Sequence, residues 1–158
     1  MTERIAEGLY RIPVPLPGNP LKELNSYLLR GPERSLLLDT GFRQEPCRQA
    51  LRAGLDELGV RLEETDIVLT HLHSDHSGLA PELAEEGDSA IYISGPDRAR
   101  LEAQWDSRLS WNRSDRAFAA EGFPQELLDH GAEVNPARAL APGPTDRYET
   151  LEDGQVLE

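Results

Sequence analysis

Residues 70–78 read THLHSDHSG and place three of the chain's four histidines, together with one aspartate, within six positions. On an extended backbone residues i and i+2 project to the same side, so His71 and His73 can point at one ion. Asp75 and His76 follow where the chain has begun to turn, and we expect them to face a neighbouring position. Imidazole and carboxylate together suit zinc, with iron or manganese as alternatives. The segment therefore predicts a metal site.

The single cysteine bears on what kind of metal site this is. A purely structural zinc site more often recruits cysteines, and Cys47 lies well outside the segment, in a predicted helix. A hydrolytic site is therefore favoured over a structural one. One cysteine also cannot form an internal disulfide, which excludes a disulfide-stapled secreted scaffold and favours a cytoplasmic location.

Size and charge narrow the class of protein further. The chain has 158 residues, of which 38% are hydrophobic, and 16 Lys and Arg stand against 29 Asp and Glu for a net charge of −13. This length suits one domain with its own core. No apolar run approaches the roughly 20 residues that a membrane-spanning helix needs, and the amino terminus lacks a signal-peptide pattern. Because the basic residues form no patch, nucleic acid is not expected as a partner.

The pattern of apolar residues predicts a mixed α/β layer architecture. Before the histidine segment, three strands form a β-meander and an amphipathic helix follows from Pro46 to Gly59. After it, a short helix and a strand are expected. The predicted strands are Gly8–Val14, Leu24–Leu29, Ser35–Asp39, Ile67–Thr70 and Ala90–Ser94, and the short helix is Leu79–Glu86.

The remainder of the chain is predicted to be mostly helical and to close with a hairpin. Leu101, Trp105 and Leu109 mark one helix, which we extend through Ala120, and Pro124 and Gly131 bracket a shorter one. Residues 132–146 are expected to form a loop. The dipeptide Asp153–Gly154 then predicts a turn between strands at Tyr148–Leu151 and Gln155–Leu157.

Two motifs resemble one known family. HLHSDH at residues 71–76 matches the His-x-His-x-Asp-His motif of the metallo-β-lactamase superfamily, and LLLDTGF at residues 36–42 resembles the strand that precedes it and ends in Asp-Thr-Gly. NSYLL at residues 25–29 is also similar. The resemblance covers roughly residues 8–95, and residues 147–158 resemble the start of the family's second half.

The resemblance implies a fold and a division of the chain. The family fold is a four-layer αβ/βα sandwich of two similar halves, so this α/β chain would be one half of that sandwich with a helical insertion. Residues 1–95 would be the amino-terminal half that carries the histidine loop. Residues 96–146 would be the helical insertion and loop, and residues 147–158 a hairpin that begins the second half.

The resemblance also implies roles for individual residues. His71 and His73 would bind a first metal ion, and Asp75 and His76 a second, with Asp75 also carrying the catalytic role. Asp39 would support the loop from behind, and Gly41 would supply a tight turn, which its missing Cβ makes favourable. In the family, a metal-bound hydroxide attacks a carbonyl or phosphoryl centre. Zinc is the expected metal, at two sites in the complete fold.

With two ligands assigned to each metal ion, the ligand set is incomplete. Catalytic zinc usually has three protein ligands and a water, so further ligands are needed, and of the histidines only His130 remains. Because His130 precedes Gly131 at a predicted helix end, we interpret it as a capping or surface residue rather than a ligand. The resemblance thus predicts a chain truncated relative to the family and inactive alone. A second copy could cover the sheet edge left by the missing half.

Three functions remain in view. The leading one is a metal-dependent hydrolase of a small ester, thioester, lactone or lactam, with no membrane or nucleic-acid partner. The alternatives are a non-catalytic metal-binding or assembly module and, within the same superfamily, a phosphodiesterase or nuclease. Aromatic residues between positions 105 and 123 could line a substrate pocket, although Leu101, Trp105 and Leu109 fit the buried face of a helix better.

Overall fold

The fold is a seven-stranded mixed sheet with helices, seen in a computed structural model that describes residues 1–105, 116–134 and 139–157. The strands are β1 (Glu3–Ala6), β2 (Leu9–Pro15), β3 (Glu23–Arg30), β4 (Ser35–Leu38), β5 (Thr65–Val68), β6 (Ile91–Ser94) and β7 (Tyr148–Leu151). The helices are α1 (Glu45–Leu58), α2 (Ser74–Ser77), α3 (Ala80–Gly87), α4 (Gly95–Trp105) and α5 (Gln125–Val134), with a 3-10 turn at Leu62–Glu64. Residues 116–120 are also helical.

The strands lie in the sheet in chain order, β1 to β7. The first four pair antiparallel, and from β4 onwards neighbouring strands pair parallel. Parallel neighbours need a crossover connection, and α1 and α3 provide two of these. As a result β4, β5 and β6 all end at the same edge of the sheet, and the histidine loop leaves from that edge.

One face of the sheet forms the core. Leu28, Leu37, Ile67 and Ile91 lie opposite one another on consecutive strands, and each is at most 1% exposed. The alternating burial along these short strands reflects a sheet covered by helices on this face. The helices contribute these residues to the same buried cluster: Cys47, Leu51 and Leu55 from α1, Leu83 and Ala84 from α3, and Leu101 from α4.

Helix α1 lies close to the sheet at Gly54. A Cβ at this position would lie 2.5 Å from Cγ2 of Ile12 on β2. A glycine therefore lets the helix backbone pack directly against the strand. The helix ends at Leu58, and Gly59 then takes a left-handed conformation (φ 63°) whose N–H bonds the carbonyls of Leu55 and Asp56.

The mixed α/β prediction is confirmed, and α1, α3 and β2 to β7 lie within two residues of their predicted positions. Strand β1 was not predicted. All four of its residues are exposed, because it is an edge strand that pairs only with β2. An exposed strand needs no alternating apolar pattern, so its sequence, ERIA, carries no strand signal.

Two predictions about the end of the chain are wrong. Residues 155–157 do not form a strand; the turn at Asp153–Gly154 is present, but Tyr148–Leu151 pairs in parallel with β6 instead of in a hairpin. Burial of Tyr148 against the core accounts for this choice of partner. Gly131 does not end a helix, since α5 continues to Val134. A single helical glycine costs only about 1 kcal/mol, which packing readily offsets.

Some predictions fall outside the described residues. Leu109 and Trp111 are among them, so the aromatic pocket predicted between positions 105 and 123 is not described as a whole. Phe118 and Phe123, which are described, are half exposed and their rings lie 5.3 Å apart. In the described ranges no helix is long and apolar enough to cross a membrane.

Candidate metal centre

The histidine loop is held at the carboxyl ends of two parallel strands. Leu38 of β4 lies opposite Val68 of β5, and the chain continues from them into Asp39 and Leu69. The Asp39 N–H donates to the Val68 carbonyl at 3.0 Å, which extends the pairing of the strands by one step. This edge of a parallel sheet is where α/β proteins commonly bind ligands.

Asp39, which follows β4, is buried beneath the histidine loop and hydrogen-bonds to it. One carboxylate oxygen, Oδ1, accepts from the Thr70 N–H at 2.9 Å, and the other, Oδ2, accepts from Thr70 Oγ1 and His76 Nδ1, each at 2.8 Å. The residue is 5% exposed and its backbone lies in the left-handed region, with φ 59°. Non-glycine residues are rare in that region and cluster at functional sites.

The hydrogen bonds to Asp39 determine the charge states of Asp39 and His76. Burial by itself raises the pKa of Asp39, but the bonds from His76 and Thr70 outweigh it and hold the pKa below its ordinary value. Burial lowers the pKa of His76, yet the Asp39 hydrogen bond and the charges of Asp39 and Asp75 raise it overall. The arrangement therefore favours a carboxylate facing an N–H at Nδ1 of His76.

The backbone of the loop is fixed by two further hydroxyl groups. The N–H and Oγ1 of Thr40 donate to the His76 carbonyl at 2.7 and 2.8 Å. Ser77, which is fully buried, donates from Oγ to the carbonyls of Leu72 and His73 at 2.9 and 3.0 Å. These bonds bind the one-turn helix α2 to the strand ends on both sides.

Two glycines, Gly41 after β4 and Gly78 after α2, let the chain segments that contain them approach each other closely. Gly41 has φ 95°, and a Cβ there would lie 2.8 Å from Cγ1 of Val14. A Cβ on Gly78 would lie 2.6 Å from the Arg43 N and 2.7 Å from the Gly41 carbonyl oxygen. Because these are backbone atoms, they cannot move aside as a flexible side chain could. The positive φ of Gly41 is a conformation that favours glycine, and at Gly78 the nearby backbone atoms leave no room for a side chain.

The other side chains of the loop face outward and lie close together. His71 Nε2 is 3.0 Å from His73 Nδ1, and the ring centroids of His71 and His76 are 4.1 Å apart. Asp75 Oδ2 lies 3.8 Å from His76 Nε2. Burial, followed by the charges of His76 and His73, lowers the pKa of His71. The neutral imidazole, which is the form that binds metals, is thereby favoured at this position.

The structure thus brings together five of the residues singled out in the sequence, namely Asp39, His71, His73, Asp75 and His76. Within the described ranges, however, no three His, Cys, Asp or Glu side chains are arranged to hold one metal ion. His130 lies inside α5 and is exposed. Of the two interpretations of His130, capping is wrong, because the helix continues past Gly131, and a surface position is confirmed by its exposure.

Sequence reasoning missed three hydroxyl residues that build this loop: Thr40, Thr70 and Ser77. Each flanks a residue that was singled out, and each donates to a carbonyl or carboxylate of the loop. Their position next to a motif was the only signal available. Hydroxyl groups are common in loops, so that signal was too weak to assign them a role.

Comparison with known proteins places these features in a family. Residues 22–156 match the profile of the metallo-beta-lactamase superfamily. The lactamase-like protein adaB of Aspergillus niger is 35% identical over 102 residues, which are 60% of this chain and 31% of that protein. The atrochrysone carboxyl ACP thioesterase of Aspergillus chevalieri is 32% identical over 110 residues, which are 62% of this chain and 32% of the thioesterase.

A solved structure shares the fold over nearly the whole chain. A metallo-beta-lactamase family protein of Thermus thermophilus is 34% identical, with a TM-score of 0.69 over 98% of this chain and 49% of that protein. The chain therefore spans about half the length of this structure and about a third of the two fungal relatives. The profile, the relatives and the fold agree, and the chain belongs to the metallo-β-lactamase superfamily.

Proposed function

We propose that the loop at residues 70–78 is part of a metal-dependent hydrolase site that acts on a small ester, thioester, lactone or lactam. Members of the superfamily are hydrolases and generally bind metal ions, and one relative is a thioesterase. The observation that carries the proposal is the convergence of His71, His73 and His76 at the ends of two parallel strands, over the buried carboxylate of Asp39.

The donor atoms fit a metal ion such as zinc in type and in placement. His71 Nε2 and His73 Nδ1 face each other at 3.0 Å. Two nitrogen ligands of one tetrahedral zinc ion lie roughly 3.3 Å apart, given a Zn–N distance of about 2.0–2.1 Å. His71 and His73 would therefore form one ligand pair. Asp75 and His76, 3.8 Å apart, would form a second.

Asp39 would orient the second pair without binding the metal. Its carboxylate accepts from Nδ1 of His76, which leaves Nε2 of that ring to face the site. A carboxylate behind a ligating histidine is a common arrangement, and it both fixes the ring and makes the ligand more basic. A divalent metal bound here would supply Lewis-acid activation of water and of the scissile carbonyl.

The net charge supports a small substrate. At −13 the chain would repel a phosphate backbone, and phosphate contacts normally depend on clustered Lys and Arg. The relatives named as a lactamase-like protein and as a thioesterase point in the same direction. We therefore assign the substrate to neutral or weakly charged carbonyl compounds.

A second candidate function is metal binding without turnover. One observation favours it: among the described residues no three His, Cys, Asp or Glu side chains are arranged to hold one metal ion. Two ligands leave a metal weakly held compared with the three protein ligands usual for catalytic zinc. This alternative predicts weak zinc binding and no hydrolysis.

The test measures zinc binding and hydrolysis in the same samples. Zinc affinity is determined by equilibrium dialysis, and hydrolysis is measured on a thioester and a lactone. The double variant His71→Ala/His73→Ala is expected to weaken zinc binding by more than roughly 100-fold, since outer partners alone alter affinity 10–100-fold. His130→Ala, the same change on α5, is the matched control and is expected to bind zinc like the native chain.

The outcomes differ in what they support. Zinc binding with hydrolysis, both lost in the double variant, supports the hydrolase. Zinc binding that is lost in the double variant, without hydrolysis of either substrate, supports metal binding without turnover for this chain alone, and it also agrees with the prediction that a chain spanning about half of the fold is inactive by itself. Equal zinc affinity in the native chain and the double variant contradicts the assignment of the site.

A further inference from the structure

Thr70 joins the buried carboxylate of Asp39 to His71. Its Oγ1 lies 2.8 Å from Asp39 Oδ2 and 3.1 Å from His71 Nδ1. A hydroxyl has one hydrogen to donate and can accept from other donors. The direction of the two hydrogen bonds therefore determines where His71 carries its proton.

The carboxylate decides that direction. Asp39 can only accept, so the Thr70 hydroxyl donates its single hydrogen to Oδ2. If the Thr70 hydroxyl pointed its hydrogen elsewhere, two acceptor oxygens, Thr70 Oγ1 and Asp39 Oδ2, would face each other at 2.8 Å. Thr70 Oγ1 must then accept from His71, which requires a hydrogen on Nδ1 of that ring. The lone pair of neutral His71 consequently lies on Nε2.

The same carboxylate acts on His76 directly. His76 Nδ1 lies 2.8 Å from Asp39 Oδ2 and 3.5 Å from Thr70 Oγ1, so its hydrogen is given to the carboxylate. Both rings therefore carry the proton on Nδ1 and present Nε2. In His71 that Nε2 is the atom facing His73 Nδ1 at 3.0 Å.

We propose that Thr70 is a positioning residue that extends the orienting effect of Asp39 to His71, holding that ring in the tautomer with its lone pair on Nε2. One carboxylate thus prepares a histidine in each of the two ligand pairs. The proposal deepens the proposed function and rests on it for its purpose, since a prepared lone pair matters when a metal binds. The tautomer itself can be measured with no metal present.

The first measurement is a long-range proton–nitrogen correlation spectrum of the native chain with a chelator, at about pH 8, where histidine of ordinary pKa near 6.5 is neutral. The His71→Ala spectrum identifies which signals belong to His71. We expect neutral His71 to carry its proton on Nδ1. A native His71 protonated on Nε2 overturns the proposal without any further variant.

The second measurement compares three substitutions. Thr70→Val keeps the shape and removes the hydroxyl, so the His71 proton is expected to move at least partly to Nε2. Thr70→Ser is expected to restore the native tautomer. Thr40→Val removes a hydroxyl that bonds only the His76 carbonyl, and it is expected to loosen the loop without changing His71. An unchanged His71 in Thr70→Val, or the same change in Thr40→Val, contradicts the proposal.

Zinc affinity gives an independent readout. Loss of an outer hydrogen-bond partner typically weakens binding 10–100-fold, so the zinc dissociation constant is expected to rise about 10-fold in Thr70→Val and to recover in Thr70→Ser. Failure of the native chain to bind zinc would contradict the proposed function. It would leave the tautomer result standing, so the two failures can be told apart.

Discussion

The loop at residues 70–78 has two sides that differ in how they are held. The inner side consists of Asp39, Thr40, Ser77 and Gly78, all buried, with each side-chain hydroxyl or carboxylate group hydrogen-bonded. The outer side consists of His71, His73 and Asp75, of which His73 is exposed and the other two are partly buried; His71 contacts His73, and Asp75 lies beside His76. The inner side has the features of a structural core, and the outer side those of a binding surface.

The difference indicates where a substitution acts. Removing a buried acceptor leaves its donors without that partner at the edge of the core, which destabilises the fold. Removing an exposed imidazole leaves groups that water can solvate, so the fold is little affected. Stability and metal binding are therefore expected to depend on different residues of one loop, and four measurements test this separation.

The largest effect on stability is expected for Asp39→Ala. It removes the acceptor of three hydrogen bonds, and breaking a buried charged pair by deleting one partner costs about 3–5 kcal/mol. The matched control is Asp75→Ala on the outer side, with an expected loss below about 1 kcal/mol. Urea unfolding measures both. Equal losses in the two variants would show that the two sides do not differ.

The next effect is expected for Gly78→Ala. The added Cβ would lie 2.6 Å from the Arg43 N and 2.7 Å from the Gly41 oxygen, so the two segments must separate. We expect a loss of about 2–3 kcal/mol, the cost of a strongly overpacked site. Gly143→Ala is the control, because among the described residues its Cβ would meet only Arg43 Nη1, at 3.6 Å. If Gly78→Ala leaves the free energy of unfolding nearly unchanged, the inner side can rearrange to accommodate the added methyl group.

A smaller effect is expected for the pH dependence of folding stability. The lowered pKa of Asp39 stabilises the fold above the unfolded value of about 3.9, and this is lost as pH falls through the folded value. The raised pKa of His76 stabilises the fold below about 6.5, and this is lost as pH rises through the folded value. The pair therefore contributes most between about pH 4 and pH 6.5.

We accordingly expect the stability difference between the native chain and Asp39→Asn, both with a chelator, to decrease by about 1 kcal/mol between about pH 5.5 and pH 9. Urea unfolding at the two pH values measures it. Gly143→Ala, which touches neither group, is expected to differ from the native chain equally at both. A difference that grows towards high pH would have the wrong sign for this pair.

The smallest effect is expected for His73→Ala. His73 is exposed, and its ring contacts His71 across the outer side. We expect a change within about 0.5 kcal/mol, as is usual for surface substitutions. Thermal and urea unfolding of the metal-free chain measure it. A loss comparable to that of Asp39→Ala would place His73 in the structural part of the loop.

Much of the fold could be predicted from local pattern. The spacing of Cys47, Leu51 and Leu55 predicted α1, and the apolar run around Leu37 predicted the buried strand β4, because burial of one face imposes a period on the sequence. Strand β1, the pairing of β7 and the length of α5 could not be predicted. Each depends on contacts with residues elsewhere in the chain, so the spacing of apolar residues within the segment does not predict it.

The sequence by itself determined which chemistry the loop carries, because three imidazoles and a carboxylate within six positions are specified by residue type alone. The tertiary structure decided which of these groups support the loop and which face outward. That division depends on Asp39, whose carboxylate meets Thr70 and His76 only because β4 and β5 pair in parallel and end together. Hydrogen bonds between residues more than thirty positions apart are set by strand register, which no short motif contains.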